Sequence, residues 1–536
     1  MRTFLVALIF LGCAPSPAGP SAARRELALL HVADLHSHLF PDRITLTARD
    51  VEYGLGPTSG ATVLAGGASR LATVLDEARR RADVSLTLDA GDVLEGTAVY
   101  TLFGGVPEMR VVDALDVDAD ALGNHDFSPG LDRLATLRRH APRAALLAAN
   151  LVDEAPGLVA PSLLVERGGM RVRVVGLGRS PDGVPDVPAC AAAVQRIIDA
   201  DRDVDVTVVL SHLGSDLDAT LVPLTTGVDV VLGGHTHDVV VPPESVRDCG
   251  ASLTSERGCR PRPVLVVHSG AYGRYVGNIA VTVSTEPNDV LPGHRSAVIA
   301  TRSSLVPVTE DIEERVDVLE LLEPYRRAMD AAGLEQPLAV APSAVSRSAV
   351  GGGDSPLGNF VTRAMRVAAG ADLALINTTG IRDDLAEGEL TMEDVFRVLP
   401  FDDRLVTVTV SGNELLGAIE QIRSASCARD RVSQVQLDGG TLVLGCDGRG
   451  SSTLHVAGRP VDASRSYRVA TVSFLTGAGQ WLDVTSDGGV DDLGLVRDAV
   501  VETVRALAPC VADGGPSLPC LDASAGAVHD DRIVWE

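Results

Sequence analysis

Five apolar segments of strand length, all in the first half of the chain, each stop abruptly on a turn that carries histidine, carboxylate or amide side chains. Glu26 to Val32 (ELALLHV) leads to Asp34-Leu35-His36, and SLTLDAG (85–91) leads to Asp92. ADALGNHD (119–126) contains Asn124 and His125, DVTVVLSHLG (205–214) contains His212, and VDVVLGGHTH (228–237) contains His235 and His237. A sixth run, RVRVVGLG (171–178), has the same form without the metal-type residues. Short apolar runs closed by glycine read as strands buried on both faces, the kind found in parallel sheets. Between them, Ser69 to Arg81 places Leu71, Val74, Leu75 and Ala78 at helical spacing. Strands alternating with helices specify an α/β sheet, whose ligands gather just beyond the strand ends. The pattern therefore predicts one site fed by five or six loops.

The residues on those loops restrict the chemistry. Mixed imidazole, carboxylate and amide donors suit Zn, Mn, Fe or Co and fit poorly with an all-oxygen calcium site. Asp34, His36, Asp92, Asn124, His212, His235 and His237 are more ligands than one ion with an open position can use. They suit two divalent ions sharing a bridging carboxylate, a pair that can hold a phosphoryl oxygen and stabilise in-line displacement. A lone histidine carries little information, and His31, His38, His140, His268, His294, His455 and His529 read as structural. The order of five fragments, each at a strand end, carries the reading.

A chain of 536 residues exceeds one typical core, so two large domains are expected. A polar stretch with Pro307 and the acidic residues Glu310 to Glu314 separates them, leading into a helix expected over Asp311 to Ala332. The boundaries read as 1–25 signal and tether, 26–308 first domain, 309–335 linker helix and 336–536 second domain. In the second domain Leu373–Ile376 and VTVTV (406–410) read as strands. Ser411 and Glu414 form a capping box that opens a helix through Ile422. The formal charge is -26 and all 46 basic residues are arginine, which disfavours nucleic acid as a partner. Arg2 and the apolar run Phe4 to Leu11 form an export signal. Gly12-Cys13 after it resembles a bacterial lipoprotein signal, with Ala14 to Pro20 as a tether. A periplasmic or cell-surface protein is expected, touching the membrane only through a lipid anchor at Cys13. Cys249/Cys259, Cys427/Cys446 and Cys510/Cys520 are close enough for disulfides in an oxidising compartment, leaving Cys190 over, although buried thiols fit the same spacing.

DLH (34–36), GD (91–92), GNHD (123–126), His212 and GGHTH (233–237) together resemble the calcineurin-type metallophosphoesterase signature. NTTGIR (377–382), LPF (399–401), VTVSGNEL (408–415) and SFLTGAG (473–479) resemble the C-terminal domain of 5'-nucleotidases, including bacterial UDP-sugar hydrolases. The resemblance covers nearly everything after residue 25. It implies an α/β chain: an N-terminal four-layer α/β/β/α sandwich followed by an α+β substrate-binding domain. It assigns Asp34, His36 and His237 to one metal and Asn124, His212 and His235 to the other, with Asp92 bridging. It makes His125, beside the phosphoryl group, and Asn124 the catalytic residues. It gives Asn377 and Arg382 to substrate binding and makes Phe401 and Phe474 a sandwich for the base. The implied function is an exported dinuclear phosphohydrolase cleaving 5'-nucleotides. Alternatives are the same fold acting on a cyclic nucleotide, a UDP-sugar or a thiosulfate ester, or an inactive surface-anchored binding protein.

Four departures from the family pattern bear on this. Ser128 stands where an aspartate pairing with the GNH histidine is expected, and Asp126 is not placed to substitute for it. Thr378 and Thr379 replace glycines, Gln480 replaces a ribose-binding aspartate, and Arg347 is the nearest counterpart of a phosphate-binding arginine. The missing carboxylate at Ser128 is the one feature favouring the inactive reading.

Overall fold

The computed structural model describes residues 24–181, 184–286, 295–429, 431–446, 452–477, 480–482, 490–510 and 517–536. The export signal, Cys13, the tether, His294 and residues 478–479 of the SFLTGAG motif lie outside the described residues. No described helix is long and apolar enough to cross a membrane.

The first body contains two six-stranded sheets. One runs Ala297–Pro307, Tyr275–Ser284, Arg24–Val32, Val84–Asp89, Ala119–Ala121, Ala145–Leu147; the other runs Glu244–Arg247, Pro263–His268, Val230–Gly233, Val206–Ser211, Met170–Leu177, Ser162–Arg167. The period-2 alternation of each strand sends its side chains to two different cores. Leu27 and Leu29 meet Val206, Val208, Val230 and Leu232 between the sheets. Ala28, Leu30 and Val32 face outward onto helices such as Ala68–Arg81 and Val106–Ala114. On the far side Val209 and Val231 pack under Val187–Ala200 and Ser215–Leu221. The result is the expected α/β/β/α order of layers.

The site-bearing strands pair in parallel: Val32 lies beside Asp89 and Asp89 beside Asp120, while Ser211 lies beside Gly233 and Gly233 beside His268. That register brings the turns after five strands to one edge. Two of these turns are laced together, with Asp34 and His36 N–H donating to the carbonyls of Gly91 and Asp92, both at 2.9 Å.

The expected linker helix begins at Val316 and ends at Ala331, five residues later at its start than the sequence suggests. The preceding main chain is used elsewhere: Ile312 N–H bonds to Thr309 and Arg315 N–H bonds to Ser69 of the first domain. Val318, Leu322 and Met329 then bury into the first domain's outer core. The second body has a five-stranded sheet, ordered Val435–Asp438, Leu373–Asn377, Ser466–Val472, Arg404–Ser411, Asp491–Leu495. Ser411 and Glu414 make the expected reciprocal cap, and the helix runs Gly412–Cys427. Helices Pro356–Ala369 and Val496–Arg505 cover one face of that sheet. Cys249–Cys259, Cys427–Cys446 and Cys510–Cys520 are disulfide-bonded, and Cys190 is a buried free thiol.

Candidate metal centre

Three of the five turns adopt unusual backbone at their candidate ligands. Asp34, His36, Asp92, His235 and His237 all have positive φ, as do the adjacent Ser37, Glu95 and Tyr272. Non-glycine residues in this region are uncommon and cost on the order of 1 kcal/mol each, and such strain concentrates at functional sites. Glycine is needed where the turns touch: a Cβ on Gly123 would lie 2.2 Å from Asp92 Oδ1. On Gly91 (φ +96) it would lie 2.6 Å from the Ala121 carbonyl.

The structure brings all seven expected ligands together. Metal-type atoms of Asp34, His36 and His237 lie within 4.8 Å of one another, and so do those of Asp92, His212 and His235. Asp92 sits between the groups. Its Oδ2 is 3.6 Å from His36 Nε2 and 2.9 Å from His212 Nε2, while its Oδ1 accepts the His125 N–H at 2.7 Å. Asn124 Oδ1 lies 2.9 Å from His235 Nδ1. A buried carboxylate reached from both sides in this way is what a bridging ligand requires.

Tautomers follow from the partners, since a carbonyl can only accept. His36 Nδ1 donates to the Glu95 carbonyl at 2.7 Å and His212 Nδ1 to Ala90 at 2.6 Å, so each turns its Nε2 inward. The His36 and His237 Nε2 atoms are then only 3.1 Å apart. Two neutral imidazole lone pairs directed at one point suit a cation between them, so the donor set fits a metal.

The charges agree. Burial pushes the Asp34 carboxyl up to about 7, with His212 pulling it partly back. Burial would also raise Asp92, but His212, His125 and His36 around it hold it well below the carboxylate range. Burial opposes a proton on His212, yet Asp92 and Asp34 overcome this and raise it to about 10. Burial drives His36 and His237 well below the imidazole range, and takes His235 to about 2 with help from His212 and Arg179. Without metal, one proton sits in the Asp92–His212 pair and three imidazoles stay neutral, ready to coordinate.

His125 does reach a carboxylate. Its Nδ1 is 2.7 Å from Glu95 Oε2, and Ser128 Oγ donates to the same oxygen at 2.5 Å. The carboxylate absent at position 128 is thus supplied from another turn. Ser128 is shorter than aspartate and leaves space for Glu95 from the Asp92 turn, so this position no longer favours an inactive protein. Asp126 instead accepts the N–H groups of Gly123, Asp92 and Leu94, holding the two turns together.

The second domain closes over this centre. Arg382 Nη2 lies 3.4 Å from His36 Nε2 and 3.5 Å from His237 Nε2, and its guanidinium is 5.8 Å from the Phe401 ring. Phe401 stacks on His125 at 5.6 Å and 11°. Phe474 is 56% exposed. Asn377 ends the strand Leu373–Asn377 and precedes the Thr378–Gly380 turn, its Nδ2 bonded to Thr379 Oγ1 at 2.8 Å, so one of the glycine replacements already engages it. Arg347 Nη1 donates to Ile381 O, next to Arg382. Tyr272 is a site residue that the sequence reading misses. Its ring contacts His36, His38 and His237, its N–H bonds to Asp34 O at 2.8 Å, and its hydroxyl donates to Arg382 O. The surrounding SGAYG turn offers only a glycine-flanked aromatic as a signal.

Comparison with known proteins agrees with this architecture. Residues 27–239 match the calcineurin-like phosphoesterase family, and residues 334–486 match the 5'-nucleotidase C-terminal domain. The 5'-nucleotidase precursor of Thermus thermophilus superposes with a TM-score of 0.78 at 27% identity, over 95% of this chain and 99% of that one. A probable 5'-nucleotidase of Treponema pallidum is 26% identical over 77% of this chain and 78% of its own length. A trifunctional nucleotide phosphoesterase of Bacillus subtilis is 24% identical over 90% of this chain, which spans only 34% of that longer protein. The chain belongs to the 5'-nucleotidase family, a calcineurin-like phosphoesterase domain joined to a 5'-nucleotidase C-terminal domain, and it is a phosphoric ester hydrolase.

Proposed function

We propose that this chain is an exported, two-metal enzyme that hydrolyses 5'-nucleotides to nucleoside and phosphate. The observation that carries the reading is the position of Asp92, one of whose oxygens lies between the His36 and His212 nitrogens while the other is fixed by the His125 N–H. Asp34, His36 and His237 would hold one ion; Asn124, His212 and His235 would hold the other. Divalent ions of the Zn, Mn, Co or Fe class would supply Lewis acidity toward the phosphoryl oxygens and the attacking water.

The chain's own groups do the rest. Arg382 brings a fixed positive charge from the second domain to within hydrogen-bond reach of the ligand imidazoles, where a phosphoryl oxygen would meet it. His125, held through Nδ1, directs its Nε2 toward developing charge on the phosphoryl group. Asn377, Phe401 and Phe474 would contact the nucleoside, the phenyl rings by stacking on the base. Three disulfides support an oxidising, extracytoplasmic location. Anchoring through Cys13 is part of the same proposal. The relatives named as 5'-nucleotidases favour a small nucleotide substrate over a nucleic acid, in keeping with the net charge of -26.

The test is the mature chain, stripped of metal and refilled with Mn²⁺, Co²⁺ or Zn²⁺, assayed for phosphate release from AMP, cyclic AMP, UDP-glucose and a thiosulfate ester. Two metal equivalents per chain and release from AMP are expected. Asp92→Asn should reduce both metal content and rate. No turnover of any ester with any of the three ions would sink the reading.

A further inference from the structure

Glu95 is the charged side chain that reaches His125 Nδ1, and it does so from a turn that also holds a ligand. Its carboxylate Oε2 meets His125 Nδ1 at 2.7 Å and receives the Ser128 hydroxyl at 2.5 Å. Its main-chain carbonyl meets His36 Nδ1, also at 2.7 Å. Both functions depend on a left-handed backbone at Glu95 (φ 62), which points carbonyl and side chain to different histidines. The next residue must be glycine, since a Cβ on Gly96 (φ +154) would sit 2.4 Å from the His36 carbonyl. His125 and Glu95 are 17% and 16% exposed, dry enough for the pair to fix the ring. Phe401 covers one face of that ring, and the His36 ring meets it edge-on with centroids 4.9 Å apart.

We propose that Glu95 is the positioning residue of His125, delivering from the Asp92 turn the carboxylate expected at position 128, and that Ser128 is the partner of this relocation. A carboxylate on Nδ1 fixes the tautomer and ring orientation and makes the other nitrogen available to substrate. The proposal rests on the phosphohydrolase reading for its kinetics, but the pairing itself does not. It also makes a statement about sign. An aspartate at 128 in the native chain would stand beside Glu95, and two carboxylates on one imidazole repel. The same aspartate in a chain lacking the Glu95 charge would restore the pair.

The experiment uses the full mature chain and the variants Glu95→Gln, Ser128→Asp, the double variant and His125→Asn. Glu95→Gln keeps the backbone carbonyl, so metal content should match the parent while kcat on AMP falls about 10–100-fold with KM within about twofold. Ser128→Asp alone should lower kcat, yet added to Glu95→Gln it should raise kcat at least about tenfold. In metal-free protein the His125 Nδ1 proton should give a downfield NMR resonance that vanishes in both Glu95→Gln and His125→Asn. Unchanged kcat in Glu95→Gln, or Ser128→Asp acting in the same direction in both backgrounds, overturns the proposal. If the parent hydrolyses no ester, the functional reading fails and the resonance decides the pairing alone: its loss in both variants upholds the pairing, and its absence from the parent refutes it.

Discussion

Glu108 offers a test of the first domain's energetics that does not involve the metal. It lies in the first turn of Val106–Ala114, is 0% exposed, and neither carboxylate oxygen has a partner in hydrogen-bonding geometry. Burial pushes its carboxyl from 4.5 to about 7, with the nearby Ser37 hydroxyl pulling it only partly back. The folded state therefore holds this proton more tightly than the unfolded state. The stability linked to the neutral form is complete below 4.5 and is lost as pH rises through about 7. Each tenfold change in proton affinity is worth about 1.4 kcal/mol, so by pH 8 the ionised native form should be penalised by about 3 kcal/mol. Glu108→Gln keeps the shape and removes the charge. Urea unfolding of metal-free parent and variant, at a series of pH values from about 4 to 8, isolates the difference, because other groups titrate equally in both. The variant should be more stable by about 3 kcal/mol at pH 8, and the gap should shrink to under about 1 kcal/mol near pH 4. A gap independent of pH, or a parent more stable at pH 8, would refute the argument that burial dominates this carboxyl.

Two further outcomes follow from buried charge. Arg397 lies 3.0 Å from Asp394 and 3.5 Å from both Asp383 and Asp42, the last in the other domain. Arg397→Met should cost about 3–5 kcal/mol in urea unfolding, and a double-mutant cycle with Asp42→Asn should show about 1–3 kcal/mol of coupling; no coupling would mean that the domains do not share this pair. Metal uptake should tighten with pH, since ions must displace the proton that Asp92 holds on His212 (about 10) and, below about 7, a second one from Asp34. Chelator competition from pH 6 to 9 should show about tenfold tighter binding per pH unit above 7, and a flat profile would contradict the paired proton.

The turns that carry the candidate metal ligands are legible in the sequence because each is short-range information. A strand buried on both faces needs an unbroken apolar run, as in VTVVLS, and a ligand must follow within a few residues of its end, as His212 does. The layer order and the capped helix after Ser411 come from the same local rules. Periodicity starts the linker helix five residues too early because it does not register that Arg315 N–H is committed to Ser69, far away in sequence. The contacts of Arg382, Phe401 and Tyr272 with the centre depend on how two domains meet, which no local spacing encodes. Glu95 is the sharper case. Its neighbour Asp92 is recognisable from its motif, but a left-handed turn sends the Glu95 carboxylate across to a histidine on the facing turn, 30 positions further along the chain. Along the chain, Ser128 marks a lost carboxylate; across the fold, the charge has moved to the facing turn. A departure at one position of a motif is therefore evidence about function only after every loop that reaches the same side chain has been counted.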